Sequence, residues 1–156
     1  MQTALSLTPD ARSEVVEALN QSIAEVSICR ALARGFSVNV TGMARRTLSE
    51  LFATIADRHY GVDELRLANR VLALESHVEM TEASRLKRSK IAEHDGHAVD
   101  IEMIKTLCDA QLTLAETLAG TAAIAERHGD GVTQSVCCDI QEQCEFAAAE
   151  LGGFLR

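Results

Sequence analysis

ESHVEMTEASRLKRSKIAEHDGHA, residues 75–98, is the stretch whose reading decides the fold of this chain. It separates two long segments of helical apolar periodicity by 24 residues, where antiparallel neighbours in a bundle need only about two to eight. A helix of about 28 residues is about 42 Å long. An extended chain of 24 residues can reach about 80 Å. The link is therefore long enough to return along a whole helix and leave the helices on its two sides parallel. Within it, TEASRLKRS, residues 81–89, reads as a short helix of its own.

The flanking segments read as four long helices. Thr8-Pro9-Asp10 is a start signal: a capping hydroxyl, proline at the first position and an acid in the first turn. The first helix runs from Pro9 to about Phe36, with Val16, Leu19, Ile23 and Val26 on one stripe. The second runs from about Arg45 to Leu74 with Leu48, Phe52, Ile55, His59 and Val62, and the third from about Val99 to His128 with Ile104, Cys108, Ala115, Leu118 and Ala122. Gly129 stops the third helix, Asp130 can cap the fourth, and Val136, Ile140, Cys144, Ala147 and Leu151 form the last stripe. Two short links make two antiparallel hairpins, and the long link joins them. The expected fold is all-α, a ferritin-like four-helix bundle with one long crossover carrying a short helix, in a single domain over residues 1–156.

Composition agrees. Hydrophobic residues make up 47% of the chain, which supports a core without metal or disulfide staples, and one proline with nine glycines is too few for a loop-rich β fold. The five cysteines are odd in number, contain no CxxC, and lie within helical patterns, so they read as small buried hydrophobes in a reducing cytoplasm. No apolar run approaches a membrane span of about 18–20 residues. The start, MQTALSLTPDAR, lacks the charged and apolar regions of a signal peptide. The net charge of −8 argues against broad affinity for DNA. Arg85, Lys87, Arg88 and Lys90 form a basic cluster that reads as a solvated face.

Several short pieces then share an order and spacing with one family. Leu19-Asn20 followed by Ala24 opens the pattern. SVNVTG, residues 37–42, is similar to His-Trp-Asn-Val-x-Gly, and LSELF, residues 48–52, to Leu-His-x-x-Phe. Leu67-Ala68-Asn69-Arg70 is similar to Ile-Ala-Glu-Arg, and GDGVT, residues 129–133, to Gly-Asp-x-x-Thr. Over most of its length the chain resembles the Dps family, the DNA-protecting mini-ferritins. That resemblance implies a hollow dodecamer, iron storage, stress protection, and oxidation of ferrous iron at sites shared across a two-fold interface.

Carried over position by position, the implied iron ligands mostly fail. The two histidines fall on Ser37 and Ser49, the next aspartate on Ala53, and the last carboxylate on Ala68 or Asn69. Glu64, with Asp63 beside it, is the one acidic position kept, and the implied tryptophan is Val38. Two iron ions need several oxygen and nitrogen donors, which serine hydroxyls and alanines do not supply. The other ferritin-like solution needs Glu-x-x-His, which occurs nowhere in this chain. Ferroxidase activity is therefore expected to be lost or altered.

Substitute sites remain as candidates. His59 and Asp63 share a helix face and, with Glu64, could hold one metal. The alternative is that His59 is a hydrogen-bonded core residue. Glu93, His94, Asp95 and His97 form a denser polar cluster in the crossover, and His77 with Glu79 a weaker one. By resemblance, the start of the fourth helix lines an iron-attracting pore, which nominates Asp130 and Asp139, with Ser135 where a further acid is expected. Asp130 is also the natural helix cap.

Overall fold

A computed structural model describes residues 6–156. The expectation about a signal peptide rests partly on residues 1–5, which lie outside the described residues. Six α-helices follow in order: α1 Pro9–Asn39, α2 Arg45–Arg58, α3 Glu64–Ala73, α4 Glu82–Arg88, α5 Asp100–Arg127 and α6 Gly131–Gly153. A π-helical turn, His59–Asp63, joins α2 to α3 in one rod. That rod, α1, α5 and α6 are the four long members expected, and α4 is the short helix of the crossover. Among the described residues there is no strand, and no helix is long and apolar enough to cross a membrane.

The caps are where the sequence puts them. The Thr8 hydroxyl accepts the Ala11 N–H at 3.2 Å, and the Asp130 carboxylate accepts the Thr133 N–H at 3.1 Å. Thr81 caps α4 through the Ser84 N–H at 3.2 Å. Each satisfies a backbone donor that the first helical turn leaves without a partner.

Residue pairs fix the direction of each rod. Ser49 in α2 donates to the Ser37 carbonyl at 2.7 Å, and Glu75, just after α3, lies 3.8 Å from Arg12. The α2–α3 rod is thus antiparallel to α1. In α5, Cys29 contacts the Ala110 carbonyl, Ser22 bonds Thr121 at 2.9 Å, and Glu14 meets His128 at 2.7 Å, just past the helix end. So α5 is also antiparallel to α1, and therefore parallel to α2–α3, as the long link requires.

The crossover is tied to α1 along its length. The Asn20 side chain donates to the His77 carbonyl at 3.2 Å and accepts the Glu79 N–H at 3.1 Å. Arg88 bridges Glu17 at 2.6 Å and Glu79 at 2.8 Å. At the far end the His94 ring meets the edge of Phe36, and Gly96, with φ of 83°, lies against Asn39, where a Cβ would come within 2.8 Å of the amide. The basic cluster is therefore not a solvated face throughout. Lys87 and Lys90 are exposed, but Arg88 is engaged and Arg85 is only 5% exposed.

One buried cluster joins all four rods, with Phe36, Phe52, Leu19, Leu107, Leu114 and Leu118 among its sealed members. The second rod departs from its expected stripe halfway along. The Glu64 N–H bonds the His59 carbonyl, a spacing of five residues, and this π turn advances the buried face by one position. Asp63 is consequently 2% exposed and Val62 48% exposed, and the core face continues through Leu67 and Val71. In α5, Leu107 takes the core position expected for Cys108, which is half-buried.

Two outcomes follow from this packing. Leu67→Ala should cost about 2–5 kcal/mol in denaturant unfolding. Val62→Thr should change stability by no more than about 0.5 kcal/mol, whereas an unbroken α-helical rod would make Val62 a core residue. The hydrogen bonds from Arg88 and Ser84 hold the Glu79 carboxyl at about 2, below its ordinary value of 4.5. A carboxyl lowered on folding strengthens the fold above its ordinary value and loses that contribution as pH falls through the folded one. Amide exchange across residues 82–88 should stay protected at pH about 4 and lose protection toward pH about 2.

Candidate metal centre

The five positions that the family resemblance nominates for iron do not form a donor set. Ser37 is buried and its hydroxyl donates to the Arg34 carbonyl at 2.7 Å, while the Ser49 hydroxyl donates to the Ser37 carbonyl at 2.7 Å. Both hydroxyls are spent on backbone. Ala53 and Ala68 offer no donor, and Asn69 is exposed. Glu64 is the one carboxylate, and its side chain is 15% exposed. Its Oε1 accepts from Arg85 Nη2 at 3.2 Å, and its Oε2 is buried without a hydrogen-bond partner.

The substitute trio divides. His59 is fully buried, with Nδ1 2.8 Å from Asp63 Oδ2 and Nε2 2.9 Å from the Gln111 side-chain nitrogen. An amide nitrogen only donates, so with Gln111 in this orientation His59 Nε2 accepts and Nδ1 carries the proton given to Asp63. Arg58 Nε stands 3.7 Å from the same Asp63 oxygen. Arg58, Asp63, His59 and Gln111 thus form a polar chain through the bundle at the π turn. Glu64, the next residue, turns instead to the crossover. The structure brings His59 and Asp63 together and separates Glu64 from them. Among the described residues, no group of three or more His, Cys, Asp and Glu is placed to hold a metal ion.

The remaining candidates are similarly occupied. His94 Nδ1 accepts the Gly96 N–H at 2.9 Å, and Asp95 accepts the His97 N–H at 2.8 Å, so that cluster shapes its own loop. Asp130, 5% exposed, bonds both the N–H and the hydroxyl of Thr133 and lies 3.4 Å from Arg70. Asp139 pairs with Arg66 at 3.0 Å. Burial raises the Cys137 and Cys144 thiols to about 12, which makes them poor metal ligands and poor nucleophiles near neutrality.

A regularity emerges that the sequence reading missed. Four of the nominated acids each have an arginine: Arg58 for Asp63, Arg85 for Glu64, Arg70 for Asp130 and Arg66 for Asp139. The visible trace was Arg58, Arg66 and Arg70, which recur at spacings of eight and four along the second rod. Which acids Arg66 and Arg70 meet depends on α6 and its cap, and Gln111 likewise gave no local sign.

No protein-family model matches the sequence, and no curated protein does. Solved structures do. The chain superposes on Dps from Bacillus brevis with a TM-score of 0.91 and 24% identity, covering 96% of this chain and 100% of that one. The chain has the Dps fold. DpsC from Streptomyces coelicolor gives a TM-score of 0.92 at 20% identity, over 100% of this chain and 91% of that one. Dps from Vibrio cholerae O1, described as one of a broad superfamily of ferritin-like diiron-carboxylate proteins, gives 0.91 at 22%, over 97% and 95%. A carboxylate-bound pair of irons is the group this Dps fold implies. The residues present do not fit it: one carboxylate, already ion-paired and half sealed, cannot clasp two cations.

The buried polar chain is testable by itself. Asp63→Ala leaves the buried His59 imidazole without its acceptor, removes the carboxylate 3.7 Å from Arg58, and should cost about 2–4 kcal/mol in urea unfolding. Asp63→Asn keeps an acceptor and should cost less.

Proposed function

We propose that this chain is the subunit of a Dps-like shell, built from copies of itself as a dodecamer in the cytoplasm, that does not oxidise ferrous iron at inter-subunit centres. The observation that carries this reading is the state of Glu64, the one acid kept at the nominated iron positions, which is paired with Arg85. The Dps fold supports assembly. The two serine hydroxyls donating to carbonyls support loss of the metal chemistry. Asp130 and Asp139, if they border a pore, do so as members of ion pairs, which weakens their pull on a cation. Stored iron, on this reading, is cargo oxidised elsewhere or by a co-assembled subunit. The charge of −8 makes DNA a poor partner.

The test is ferrous iron under air, followed by ultraviolet absorbance. The rate should equal that of a protein-free blank, and a faster rate that Glu64→Ala abolishes would overturn the reading. In gel filtration, twelve chains of 16.9 kDa should elute at about 200 kDa. Elution as a lone chain would count against the shell.

A further inference from the structure

Arg85 is the side chain whose placement the fold least needs for packing and most needs to explain. It enters the bundle from the short crossover helix and is 5% exposed. Nη1 donates to the Ser27 hydroxyl on α1 at 2.8 Å, and Nη2 donates to Glu64 on α3 at 3.2 Å. Nη2 also lies 3.4 Å from the Met80 sulfur, and Nε is buried without a partner. A charge in that position is costly unless a counter-charge meets it. Glu64, with a side chain 15% exposed, is the carboxylate that does so.

The geometry is that of a cation held by a carboxylate and a hydroxyl across three elements, which is the task a bound metal ion would perform. We propose that Arg85 is a built-in replacement for metal. Its guanidinium fixes Glu64 as a structural carboxylate, and this cation excludes divalent ions in addition to the loss of donors at Ser37, Ser49 and Ala53. A divalent ion approaching Glu64 would sit beside a positive charge that cannot withdraw, because Ser27, Glu64 and the crossover packed on α1 hold it. The planar fork matters: it reaches two acceptors at once, where the point charge of a lysine would reach one. The proposal deepens the reading of a shell without iron oxidation and rests on it for what the position means.

The experiment follows thermal unfolding of the full-length assembled protein with and without cobalt(II), a redox-silent probe, at about 1 mM. Wild type should unfold at the same temperature with cobalt, with chelator, or with neither. Arg85→Gln should lower the midpoint by about 5–10 °C, since it leaves the half-buried Glu64 unpaired. Cobalt should restore part of that loss, and the recovery should vanish in Arg85→Gln/Glu64→Gln. The double variant should also unfold at a higher temperature than Glu64→Gln alone, where the guanidinium is left without its partner. Arg85→Lys keeps the charge, so it should stay cobalt-silent even with a lower midpoint. That variant carries the test if Arg85→Gln does not fold. A cobalt response in wild type that Glu64→Gln removes would overturn the proposal. So would a cobalt response in Arg85→Lys, or its absence in a folded Arg85→Gln. Because no iron is oxidised here, this proposal and the iron-oxidation reading can fail separately.

Discussion

A link of 24 residues between parallel rods has to lie against something, and here it lies against α1. The rest of the architecture depends on that docking. Without it the second and third rods could not run the same way, because a short turn reverses a helix and cannot repeat its direction. The docking has a polar seam beside the buried Ile91. Asn20 closes both backbone groups at the link's start, Arg88 joins it to Glu17, and Arg85 passes through it to Glu64. A polar seam specifies one register, because each donor must find its acceptor, whereas apolar contact alone would tolerate sliding.

Arginine is the common thread between fold and chemistry. Four guanidinium groups answer four of the acids singled out as candidates, Asp63, Glu64, Asp130 and Asp139. The same exchange serves both ends. A carboxylate inside a helical bundle needs a positive partner, and a guanidinium supplies it permanently, with directional bonds and no dependence on metal supply.

The polar chain at the π turn belongs to the same logic. His59, Asp63 and Gln111 are buried in the bundle, where a ferritin-like protein could place metal ligands, and His59 bonds both of the others, with Arg58 3.7 Å from Asp63 at the edge. The extra residue of the turn is what swings Asp63 inward and Val62 outward. It also sends Glu64 toward the crossover and away from His59, so the two acids adjacent in sequence serve different partners.

Local pattern and chain length were enough for much of this. Helix starts at Thr8, Thr81 and Asp130, the stripe of the fourth helix, and the long crossover were legible because caps, periodicity and reach are properties of nearby residues. The missing iron ligands were legible too, since serine and alanine lack the donors wherever they are placed. What tertiary structure decided was every pairing between distant segments: Arg85 with Glu64, Arg70 with Asp130, His59 with Gln111, and the one-residue shift that buries Asp63. A basic run in a loop looks solvated until the rod beneath it presents a carboxylate. The sequence by itself determined that these rods form and that serine and alanine stand at most of the positions nominated for iron. Only the packing of rod on rod decided which charges are buried, because burial is a property of the neighbours and not of the residue.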